Sequence, residues 1–170
     1  MNHFQVRLAA ATDRLPIQHM LELYLHDLSK YWDYELDSHG LYGYRLDKYW
    51  TDSNCHAFVF QADGRYAGFA LVDDAVSLPE NAIWMSQFFV VRRHRRKGLA
   101  TLAAGTIFDA IRGKWEIGQF PGNAAATAFW RKAIQAYTSG EFIEYQLDDE
   151  RWRGPLQCFD NTLNTDRANR

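Results

Sequence analysis

The feature that most constrains this fold is a strand, a turn and a helix in immediate succession between residues 82 and 113. Ala82 to Val91 is the longest strand candidate and ends in the apolar run Phe88-Phe89-Val90-Val91. Arg95-Arg96-Lys97-Gly98-Leu99-Ala100-Thr101 then turns the chain into a helix from Gly98 to Arg112, with Gly113 as its stop. This strand–turn–helix unit is the centre of the pattern.

The remaining pattern builds on this unit. Phe4 to Leu8 reads as a first strand. Asp13 to Ser29 reads as a helix with Leu15, Ile17, Met20, Leu21, Leu25 and Leu28 at helical spacing, Asp13 as its cap and Pro16 in its first turn. Tyr31 to Trp50 reads as a loop with a short helix. His56 to Gln61 and Tyr66 to Val72 form a hairpin about Ala62-Asp63-Gly64-Arg65. Asp73 to Asn81 is a polar loop. Trp115 to Phe120 gives a strand, Asn123 to Tyr137 a second helix, and Ile143 to Leu147 and Leu156 to Phe159 two final strands. The expected class is α/β, an α+β mixed central sheet flanked by helices, in a single domain over 1–160 with a polar tail over 161–170.

Composition narrows the function. The 170 residues are 47% hydrophobic and 15% aromatic, enough for one packed core. A net charge of −2 lacks the basic excess of a dedicated nucleic-acid binder, so small-molecule chemistry is favoured and no nucleic-acid partner is expected. Cys55 and Cys158 form neither a C-x-x-C pair nor a disulfide framework, and His19, His26, His39, His56 and His94 show no ligand spacing, so no metal is expected. No signal-peptide core and no membrane-spanning apolar stretch is evident, which points to a cytoplasmic protein without a membrane partner.

The turn at Arg95 to Thr101 has the chemistry of an anion site. The first N–H groups of a helix lack internal partners, the macrodipole adds partial positive charge, and Gly98 admits close approach to the backbone. Arg95, Arg96 and Lys97 supply charge and Thr101 a hydroxyl. The sequence fits neither the Walker G-x-x-x-x-G-K-[ST] loop nor the dinucleotide G-x-G-x-x-G fingerprint.

Arg95, Gly98 and Ala100 resemble the R/Q-x-x-G-x-G/A pattern of the GNAT superfamily, and Phe88-Phe89-Val90 fits the strand end that precedes it. Asn123, Ala126, Phe129 and Trp130 match, at their spacings, the N-x-x-A-x-x-F-Y pattern that follows in that family. The resemblance implies a GNAT-like fold with a splayed sheet and acetyl-CoA as acetyl donor to a primary amine, attacked directly in a ternary complex. It implies that Phe88, Phe89 and Val90 pair with the pantetheine arm and that the Phe88 N–H polarises the thioester carbonyl. By the same resemblance, Arg95, Arg96, Lys97, Gly98, Leu99, Ala100 and Thr101 hold the pyrophosphate. Asn123 binds the cofactor arm, Phe129 and Trp130 wall the channel near the thiol, and Lys132 reaches a phosphate.

Two family features are missing. The strand Ile83 to Val90 carries no carboxylate to act as base, and Trp130 stands where the family's acidic Tyr would be. Catalytic acid and base are therefore unassigned. Ser86 or Gln87 orienting a water with Glu80, Asp73, Asp74 or Glu35 remains open, as do Tyr137 as acid and reprotonation of the thiolate by solvent. Asp27, Trp32 and Glu35, within an aromatic and acidic segment, are candidates for holding a cationic amine on a small molecule or peptide, with core packing of the aromatics as the alternative. The rival to a transferase is a CoA-binding regulatory module without turnover. Monomer and homodimer both stand open.

Overall fold

The computed structural model describes residues 3–162. Seven strands, β1 (Phe4–Leu8), β2 (His56–Ala62), β3 (Arg65–Asp73), β4 (Ile83–Val90), β5 (Lys114–Gly118), β6 (Ile143–Asp148) and β7 (Arg153–Asp160), follow the order β1-β2-β3-β4-β5-β7-β6. Antiparallel pairs dominate, and β4 with β5 is parallel. The helices are α1 (Arg14–Leu28), α2 (Lys48–Thr51), α3 (Leu99–Ala110) and α4 (Ala124–Thr138). The expected mixed sheet with flanking helices is thus observed.

The chain divides into two compact units. The first holds the residues up to Asp73 together with Ser86–Ala103, and the second Asp74–Met85 with the chain from Ala104 onward. In the first, α1 buries Ile17, Met20, Leu21 and Leu25 against Val59, Phe69, Leu71 and Phe89 of the strands. The hairpin between β2 and β3 turns at Asp63 and Gly64, both with positive φ, as a two-residue primed turn requires. Asp13 does not cap α1 as its position predicts. Its side chain is buried and takes two bonds from Arg7 at 2.6 and 3.1 Å, one from the Ala10 N–H at 2.7 Å and one from Tyr66 at 2.8 Å. A buried carboxylate at a helix start is satisfied better by a guanidinium than by helix N–H groups alone.

In the second unit Phe108 is the hub of an aromatic core. Its ring lies 5.0 Å from Trp115, 5.0 Å from Tyr137, 4.9 Å from Phe159 and 6.3 Å from Trp130. Buried Glu116 on β5 anchors the 74–82 segment by accepting from the backbone of Ser77 and Leu78 and from the Asn81 amide. Asn161, the first residue of the expected tail, is buried and donates to Phe108 and Ile111 carbonyls while accepting from the Gly113 N–H. The rest of that tail, 163–170, lies outside the described residues.

Candidate functional site

On β4 the side-chain alternation slips by one residue. Phe89 faces α1, with its ring 5.5 Å from Tyr24 and 5.8 Å from Phe69, whereas Phe88 packs on the other face, 5.3 Å from Phe60. Regular pleating would then put Ser86 beside Phe88. Instead the Ser86 hydroxyl lies 3.2 Å from both the Tyr44 and the Tyr49 hydroxyls, on the face that α1 and α2 cover. The extra residue is Gln87, and such a slip kinks a strand and turns backbone groups out of its ladder. The Phe88 N–H bonds the hydroxyl oxygen of Tyr24, whose ionisation burial pushes upward. Ser86, Gln87 and Phe88 are all partly exposed in the middle of the sheet order.

Gly68 on β3 makes this stretch possible from the other side. A Cβ there would lie 2.2 Å from the Phe89 carbonyl oxygen and 2.7 Å from the Phe60 ring. No side chain fits where the strands approach this closely.

The basic turn follows β4 in the same unit. Arg95 is engaged within the fold: its Nε donates to the Val90 carbonyl at 2.7 Å, a terminal nitrogen donates to Asp27 at 2.9 Å, and its guanidinium lies 5.5 Å from the Phe89 ring centre. Arg92 donates to the other Asp27 oxygen at 2.6 Å. These two cations hold the Asp27 carboxyl below its ordinary range against the opposing effect of burial. Asp27, expected on the amine side, is thus a brace between α1 and the turn.

Arg96, Lys97 and Gly98 are exposed. Arg96 has φ +59° and Gly98 φ +87°, and a Cβ at Gly98 would meet nothing within 4 Å. The first backbone bond of α3 runs from the Leu102 N–H to the Gly98 carbonyl at 3.0 Å. The N–H groups of Leu99, Ala100 and Thr101 therefore precede the first intrahelical bond, and the open side of Gly98 leaves room for an anion before them.

In the second unit Asn123 caps α4 by accepting from the Ala126 N–H at 3.3 Å. Phe129 is partly exposed and its ring meets Trp130 edge-on at 4.9 Å, while Trp130 itself is buried in the Phe108 core. Lys132 is exposed. Tyr137 donates to Asp109 at 2.9 Å within that core. Trp32 and Glu35 are exposed in the segment between α1 and α2.

A group that sequence reasoning did not assemble lies on the α2 side of the first unit. Asp73, 1% exposed, accepts from Lys48 Nζ and from the Tyr49 hydroxyl, each at 2.7 Å. The Tyr49 hydroxyl lies 3.1 Å from that of Tyr44. These residues come from α2, a strand and a loop, so no sequence spacing joins them; Asp73 stood in the sequence only as one of several candidate bases, and the aromatic density of 31–50 was the signal for its partners.

Comparison with known proteins agrees with this geometry. The model of the acetyltransferase (GNAT) family matches residues 17–134. No curated protein matches the chain in sequence. Among solved structures, an acetyltransferase from Thermus thermophilus is 17% identical with a TM-score of 0.64, the similarity covering 94% of this chain and 99% of that one. Spermidine N-acetyltransferase from Vibrio cholerae, in complex with CoA and spermine, is 14% identical with a TM-score of 0.59, over 91% and 93%. The aminoglycoside acetyltransferase AAC(6')-Ib in complex with coenzyme A is 14% identical with a TM-score of 0.59, over 94% and 95%. At such identities the structures testify to the fold, and the family match, over more than half of the chain, testifies to kinship: the chain belongs to the GNAT acetyltransferase family.

Proposed function

We propose that the protein transfers the acetyl group of acetyl-CoA to a primary amine by direct attack of the amine nitrogen on the thioester carbon. The observation that carries this reading is the break in side-chain alternation at Gln87, immediately before the Phe88 N–H. In that reading the thioester carbonyl replaces the Tyr24 hydroxyl as its partner, and a fixed N–H dipole meets the negative charge that develops on the carbonyl oxygen. The backbone of Phe88 to Val90 then carries the pantetheine arm. Leu99, Ala100 and Thr101 offer N–H groups to the pyrophosphate, with Arg96 and Lys97 adding charge.

The acceptor in this reading is cationic. Trp32 is exposed beside Asp33, Glu35 and Asp37 in a segment that precedes α2, and such a surface attracts ammonium groups. Neighbours of the same fold that act on spermidine and aminoglycosides are consistent with it, as an analogy of fold. Catalysis draws on juxtaposition of the two substrates and on the N–H dipole.

The test is release of free CoA thiol from acetyl-CoA in the presence of spermine, kanamycin or a peptide with a free N-terminus, alongside calorimetric binding of acetyl-CoA. Amine-dependent thiol release with an acetylated product is the expected result. Tight binding with no turnover on any of the three would replace this reading with that of a CoA-binding module.

A further inference from the structure

The hydroxyl chain that ends on Asp73 has a fixed direction. An ionised carboxylate only accepts, so the Tyr49 proton points to Asp73, at 2.7 Å, rather than to Ser86 at 3.2 Å. The Tyr49 oxygen is left to accept, and the Tyr44 and Ser86 hydroxyls lie 3.1 and 3.2 Å from it. Either of them donates inward, and the oxygen that does so keeps a lone pair for a proton arriving from the open side of β4. Ser86 is partly exposed and stands two residues from Phe88, across the slip at Gln87.

We propose that Asp73, acting through Tyr49 and the paired Ser86 and Tyr44 hydroxyls, is the proton sink that relieves the attacking amine of its proton. The proposal rests on the acetyltransferase reading and adds to it the base that β4 lacks. The acceptor's ammonium group gives one proton to the Ser86 or Tyr44 oxygen, which frees the nitrogen lone pair. That hydroxyl gives its own proton to Tyr49, and Tyr49 gives its own to Asp73. The nitrogen then bonds to the acetyl carbon, the carbon–sulfur bond breaks, and the sulfur leaves with the bonding pair and takes the second N–H proton as thiol. Lys48, whose side chain is 44% exposed, then sheds a proton to water and takes the one on Asp73, which restores the ion pair.

The ionisable groups about this chain are Lys48 and Tyr49 from α2, Tyr34 and Tyr44 from the segment before it, Tyr24 from α1, and Cys55 from the turn into β2. Burial lowers the affinity of Lys48 for its proton, yet the Asp73 bond and charge outweigh this and raise it, so Lys48 stays charged at neutral pH. Burial pushes Tyr49 upward, which keeps it a neutral hydroxyl able to relay.

The experiment is a pH profile of amine-dependent turnover for the wild type, Tyr49→Phe and Asp73→Asn, with whichever of spermine, kanamycin or the peptide the wild type acetylates. Near neutral pH we expect about a 100-fold loss of kcat in Tyr49→Phe, with acetyl-CoA affinity and melting temperature close to wild type. The deficit should shrink as pH rises into the range where the amine sheds its proton unaided. The Ser86→Ala, Tyr44→Phe double variant should match Tyr49→Phe, because it removes both hydroxyls that could receive the amine proton. A loss equal at every pH, or full activity in Tyr49→Phe and Asp73→Asn alike, overturns the relay and leaves the transferase standing. Absence of turnover by the wild type on all three amines overturns both.

Discussion

Gly98 sits at φ +87° with open space where a side chain would project, so a substitution there is strained by the backbone and not by a neighbour. An L-residue held in this region costs about 1–2 kcal/mol, and its Cβ would stand in the space offered to an anion. Gly98→Val is expected to weaken acetyl-CoA binding at least tenfold in calorimetry while the far-ultraviolet circular dichroism keeps its native shape; unchanged affinity would remove the turn from the site. The glycine was readable in the sequence because its conformational role and its place before a helix leave a local mark. The roles of Asp13 and Asp27 were not, since Asp13 is decided by Arg7 and Tyr66 and Asp27 by Arg92 and Arg95, all of which reach in from other elements. Trp130 shows the same limit: its motif position is visible in sequence, but its burial against Phe108 depends on where α3 runs.

At the scale of elements, β4 and α3 do unequal work. The helix carries Phe108, whose ring touches four other aromatic rings, and truncation to alanine empties the centre of that core. Phe108→Ala should cost about 3–5 kcal/mol of unfolding free energy, measurable as a lower urea midpoint with unchanged slope. β4 is instead sensitive to its neighbour. Gly68→Ala should push the Phe89 carbonyl away and lower acetyl-CoA affinity without touching the ligand; a variant that binds normally would show that the close approach has no bearing on the site. Strand and helix positions were legible from periodicity, with ends within a few residues. The slip at Gln87 was not, because Phe88-Phe89-Val90-Val91 is apolar throughout and shows no alternation whose phase could be seen to change.

For the molecule as a whole, acid stability is set by carboxylates bound to cations. The bond from Arg7, together with those from Ala10 and Tyr66, outweighs burial and holds Asp13 at about 2, below its ordinary 3.8. A depressed carboxylate contributes its full stability above its unfolded value and loses it as pH falls toward the folded one. The urea midpoint should therefore be flat from neutral pH to about 5 and fall steeply between about pH 4 and 2. Asp13→Asn should start lower and fall less. Net charge offers a different reading of the basic turn. The chain is slightly acidic, yet five cationic side chains fall within residues 92–97, and Asp27 neutralises two of them from α1. Asp27 thereby restricts Arg92 and Arg95 before any ligand arrives. For the polyphosphate of the proposed site, part of the entropy of ordering would then be met during folding rather than at binding, and the turn would act as a rigid receptor instead of a closing hand.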